Sequence, residues 1–123
     1  MSADNGVYIL RTLLPPIKND GYSYTPRPGY EYRVAHCFAI DNIDYHDLYA
    51  VVYFGDSAIY YDEAEALHAA HQLANEVMRH GPLEYGVSVI VRDYYFPRMT
   101  VEAAKDALDV YDTAPEPETA LGN

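Results

Sequence analysis

The segment from Asp62 to Pro82 constrains the chain most, because only one regular structure fits it. Ala64, Leu67, Ala70, Ala74, Val77 and Met78 recur at helical spacing, while Glu63, His68, Gln72, Asn75 and Arg79 fall on a polar face. Asp62 is of the N-cap type, and Glu65 follows three places later, as in a capping box. Gly81 is the residue expected to end the helix, and Pro82 forbids its continuation. Acid at the start and Arg79-His80 at the end suit the helix dipole. The spacing predicts one helix over Asp62–His80.

Two stretches alternate with period two instead. From Glu31 to Ile40, Tyr32, Val34, His36, Phe38 and Ile40 share one side, and Glu31, Arg33, Ala35, Cys37 and Ala39 share the other. The second set is small enough to lie under a helix. From Glu84 to Tyr95, Tyr85, Val87, Val89 and Val91 oppose Gly86, Ser88, Ile90 and Arg92, which predicts a central strand. Gly6–Arg11 is rich in strand formers and follows the turn signal Asp4-Asn5-Gly6.

Between Leu14 and Gly29 stand Pro15, Pro16, Pro26, Pro28 and Gly21, so a long hairpin loop without regular elements is expected. Its Tyr22 and Tyr24 are expected to be exposed or packed on a neighbour. Asp44–Phe54 suits a helix or a strand, and Ala58–Tyr61 reads as a short strand. Thr100 can cap a second helix with Val101, Ala104, Leu108 and Tyr111 on one stripe. The expected architecture is an α+β domain over residues 1–112, with a mostly antiparallel sheet of four to five strands and two helices on one face. Residues 113–123 read as a disordered acidic tail.

Charge narrows the function. Nineteen Asp and Glu against eight Lys and Arg give −11 in 123 residues. Nucleic-acid binding through counterion release needs clustered cations, and an anionic membrane surface needs the same, so neither partner is expected. No apolar run reaches the roughly 18–20 residues of a spanning helix. Met1-Ser2-Ala3-Asp4-Asn5-Gly6 has neither the basic start nor the apolar stretch of a signal peptide. The lone Cys37 fits a reducing, cytoplasmic setting. Fourteen Tyr without Trp are too many hydroxyls for one small core, and predict a contact surface and a homo-oligomer.

Candidate chemistry is sparse. His68 and His71 stand at i, i+3, with His36 or Asp62 as distant third ligands, but they read better as a polar helix face, and no metal or cofactor is expected. His36 and Cys37 are strand neighbours that point apart, so they make no nucleophile–base pair. No phosphate-cradling glycine loop occurs, and no catalytic residue is assigned. The few arginines are more informative. Arg33, Arg92 and Arg98, with Tyr94 and Phe96, form a candidate ligand-binding set, since rings stack on bases and guanidinium grips phosphate. Ion pairing with the many acids is the competing explanation of these arginines.

Ala3-Asp4-Asn5-Gly6-Val7-Tyr8-Ile9-Leu10, Glu31-Tyr32-Arg33-Val34-Ala35-His36, Ala39-Ile40-Asp41-Asn42, Phe54-Gly55 and Glu84-Tyr85-Gly86-Val87-Ser88 resemble segments of small phage-encoded proteins. Within these the chain is similar to the Thoeris anti-defence sponge family. That resemblance implies an oligomer in the host bacterial cytoplasm that binds a cyclic ADP-ribose signal made by a TIR enzyme, without cleaving it. It carries no ligand residue over to this chain, and the Leu14–Gly29 insertion and the surplus of Tyr depart from the family. The alternative is an acidic protein-binding inhibitor of a host defence enzyme, of the nucleic-acid-mimic or anti-CRISPR type.

Overall fold

The computed structural model describes residues 5–37 and 47–113. Among the described residues, five strands and three helices follow in the order β1 (Gly6–Leu13), β2 (Ile17–Asn19), β3 (Ser23–Thr25), β4 (Tyr30–Cys37), α1 (Asp47–Phe54), α2 (Glu63–Met78), β5 (Val87–Tyr95) and α3 (Val101–Thr113). The α+β class is as expected, but the sheet differs from the expected one. It has three strands in the order β4-β1-β5, and β2-β3 form a separate hairpin. β1 pairs antiparallel with β4 and parallel with β5, so the sheet is mixed.

The central strand is β1, and the segment expected at the centre is an edge. Val7, Ile9 and Leu10 are fully buried, whereas Val89 and Val91 are each 44% exposed. A strand covered on both faces reads as a continuous apolar run, as Val7-Tyr8-Ile9-Leu10 does, and a half-covered edge strand alternates.

Helices cover both faces, not one. On the first face Tyr8, Leu10, Ala35 and Cys37 pack with Ala50 and Phe54 of α1. On the second, Val7, Ile9 and Tyr32 pack with Ala66, Ala70 and Ala74 of α2. The chain leaves β4, crosses the first face as α1 and the second as α2, and re-enters the sheet parallel to β1. Ala35 and Cys37 thus lie under a helix, as their size predicts. α3 packs on α1, where a Cβ on Gly55 would lie 2.6 Å from Val101 Cγ2.

Local signals for the helices hold in part. Asp62 is the N-cap of α2, accepting from Ala64 N at 3.2 Å, and Thr100 Oγ1 accepts from Ala103 N at 3.0 Å. The C-cap of α2 is Arg79, whose N–H donates to Glu76 O at 3.2 Å, and the next N–H, of His80, donates to Val77 O at 2.9 Å; Gly81 does not take the left-handed conformation. The buried stripe of α2 runs through Ala66, Ala70 and Ala74, with Leu67 and Val77 only half-buried and Ala64 exposed. Alanines at i, i+4, i+8 leave space for the larger Val7, Ile9 and Tyr32 opposite.

The segment expected to lack regular structure folds into the β2-β3 hairpin. Its prolines sit outside the paired residues, and Gly21 supplies the φ of +87° that the turn needs. The expected strand at Ala58–Tyr61 reduces to one bridge, with Tyr32 N donating to Tyr60 O at 2.8 Å and Tyr60 N to Tyr32 O at 2.9 Å. Phe38–Ile40, the expected end of β4, and nearly all of the expected tail lie outside the described residues, and α3 extends to Thr113.

Candidate ligand pocket

The expected ligand residues fall in two layers. Arg33, on β4, is 8% exposed, and its NH1 lies 3.0 Å from Glu31 Oε1. Glu31 and Arg33 are two apart on one strand, so they share a face with Thr12, the register partner of Glu31. The Thr12 hydroxyl is buried and has no hydrogen-bond partner among the described residues. Over this polar patch lies Phe96, its ring centroid 3.8 Å from the Arg33 guanidinium carbon. Arg33 therefore supports Phe96 from below and is committed to Glu31.

Phe96 and Arg98 line an open pocket of about 420 Å³, together with Pro15, Pro16, Tyr24, Tyr95 and Pro97. The register explains how β5 reaches it. Arg11 pairs with Val91, and Leu13 pairs with Tyr95, so two steps of β1 match four of β5. The irregularity bends the end of β5 toward the hairpin, as a bulge does. The hairpin root is held by Leu14 N donating to Gly29 O at 3.3 Å and by Arg27 Nε donating to Pro15 O at 2.7 Å.

Arg92 and Tyr94 share the first face of β5 with Ile90 and do not line this pocket. Arg92 NH1 donates to Val91 O at 2.8 Å, and the Tyr94 hydroxyl is buried. The structure thus brings Phe96 and Arg98 into one pocket wall, with Arg33 behind it. Sequence reasoning missed Pro15, Pro16, Tyr24 and Tyr95. Their residue types were visible, but the fold alone brings the hairpin to the end of β5.

Cys37 is fully buried, and burial pushes its thiol up to about 12, far from thiolate chemistry at neutral pH. His36 Nε2 meets Asn5 Oδ1, and Asn5 Nδ2 donates to Pro82 O. The carbonyl fixes the amide, so His36 Nε2 carries the proton and donates. Burial lowers the His36 pKa. These residues border a cavity of about 400 Å³ with His80 and Glu84. His68 and His71 are both exposed on α2. Among the described residues no three His, Cys, Asp or Glu side chains are grouped to hold a metal ion, and no helix is long and apolar enough to cross a membrane. No protein-family model matches the chain, and neither a curated protein nor a solved structure is detectably similar to it.

Proposed function

We propose that the protein binds and retains, without turning over, a small cyclic nucleotide-type ligand in the pocket between the hairpin root and the end of β5. The reading rests on one observation: three aromatic rings, Tyr24, Tyr95 and Phe96, and the exposed Arg98 converge on a single pocket. Its volume lies within the roughly 300–1,000 Å³ of small-molecule sites. A base stacked on a ring gains about 1–3 kcal/mol, and a charge-assisted contact from Arg98 to phosphate about 1.5–3 kcal/mol. Two stacked bases and one phosphate contact suffice for micromolar or tighter binding after the cost of lost freedom. A compact ligand tolerates a chain of net charge −11, as a polyanion would not. The resemblance to anti-defence sponges makes a cyclic ADP-ribose isomer the first ligand to try, and sequestration of a phage-directed immune signal the biological role.

Titration calorimetry with cyclic ADP-ribose isomers and cyclic di- and trinucleotides tests this. One member should bind and be recovered intact after heat denaturation. Phe96→Ala and Arg98→Ala should each weaken it at least tenfold, and Arg92→Ala should leave it within twofold. Silence across the panel removes the reading. The acidic surface of α2 and α3 supports the second reading, an inhibitor of a host defence enzyme; a protein partner in native mass spectra of the complex taken from cells, with no bound nucleotide, would favour it.

A further inference from the structure

The β2-β3 hairpin is an arm. Among the described residues no helix or strand of the body makes an extended contact with its two strands, and every residue from Asp20 to Tyr30 is exposed. Tyr22, beside the turn, is 98% exposed, and Ile17 and Tyr24 are 49% and 58% exposed. Yet the arm is preorganised: its strands pair from Ile17–Thr25 to Asn19–Ser23, Asn19 Nδ2 donates to Thr25 Oγ1 at 2.6 Å, and Arg27 ties its root to Pro15. Order with little packing on the parent body, with Tyr22 fully displayed, suits a partner surface.

The arm also differs in charge from the rest. Lys18, Asp20 and Arg27 give it +1, in a chain of −11. A second copy supplies the complementary surface. Tyr60, Ala64, Glu65, His68, Ala69 and Gln72 line a mainly apolar cavity of about 430 Å³ at the N-terminal half of α2. Asp62 and Glu63 stand exposed beside it. His68 and Gln72 offer polar atoms for a tyrosine hydroxyl.

The cavity and the arm lie at the same end of the molecule. Tyr60 is bridged to Tyr32, three residues from Gly29 at the arm root. From Leu14 to Gly21 the arm reaches roughly 20 Å at strand rise. A two-fold axis beside this end lets each arm enter the other copy's cavity, which closes the assembly as a dimer.

We propose that the chain forms a dimer by reciprocal arm exchange, with Tyr22 of each copy seated in the Tyr60–Gln72 cavity of the other and Lys18 facing Glu65. The proposal does not rest on the ligand reading: Tyr22 and the Tyr60–Gln72 cavity do not line the ligand pocket, although Tyr24 of the same arm does. Sedimentation velocity at micromolar concentration tests it. The wild type should sediment at twice 13.9 kDa. Tyr22→Ser should weaken association at least tenfold without changing the melting temperature, since Tyr22 supports nothing in its own fold. Lys18→Glu and Glu65→Lys should each weaken it, and the double variant should recover most of the loss. A wild-type monomer, a dimer indifferent to Tyr22→Ser, or a charge swap without recovery would each overturn the proposal.

Discussion

Phe96 rests on Arg33, with 3.8 Å between the guanidinium carbon and the ring centroid, and Arg33 is in turn bound to Glu31 at 3.0 Å. A ring of the candidate pocket thus stands on a buried ion pair. Both charged side chains are under 10% exposed. Removing one partner strands the other charge, so Arg33→Ala should cost about 3–5 kcal/mol. Replacing both residues together, as Glu31→Met with Arg33→Leu, should cost much less. Urea denaturation of the three variants measures this, and equal losses from single and double changes would show that the pair is not coupled.

The alanine stripe of α2 leads to a second expectation. Ala70 is fully buried against the sheet with Ala66, while Leu67 beside it is only partly buried. Ala70→Leu should destabilise by about 1–3 kcal/mol through overpacking. Ala69→Leu, on the half-buried flank, should cost less. Thermal melts of the two variants decide the order.

His36 gives a pH dependence with a definite sign. Burial lowers its pKa in the folded protein from 6.5, so the unfolded chain binds this proton more readily. Its contribution is full above 6.5 and declines as the pH falls from there toward the lower folded value. His36→Asn should flatten that part of the stability curve. Denaturation midpoints between pH 7.5 and 5 in the two proteins provide the check, and identical slopes would refute the assignment.

Cys37 should be silent to thiol reagents in the native protein. Its thiol is fully buried and pushed up to about 12, so at pH 8 Ellman's reagent should react only after unfolding, releasing one equivalent. Fast native labelling would mean that the α1 face opens.

How much of this was legible in the sequence depends on how local each signal is. The N-caps Asp62 and Thr100 and the two faces of β4 depend on neighbours within a few residues, and the fold follows them. Ala70 and Ala74 are buried as their spacing predicts, but the close approach of sheet and helix adds Ala66 to the stripe and leaves the larger Leu67 and Val77 half-buried at its flank. The parallel pairing of β1 with β5 joins Val7 to Val87, and no local pattern encodes which neighbour a strand chooses. Prolines masked the arm, although all four lie outside its paired residues. Phe96 and Arg98 were legible as ring and cation together, but Tyr24 and the prolines across the pocket became part of the site only through the fold.

The position of β1 between an early and a late partner sets a timetable for synthesis. β4 is complete at Cys37, but β5 is complete only at Tyr95. Until then the emerging chain displays one open side of its most apolar strand. The long-range closure is entropically costly and slow relative to the helices, which form on their own scale. A ribosome-stalled chain ending before Val87 should therefore be a chaperone client, and one ending after α3 should not.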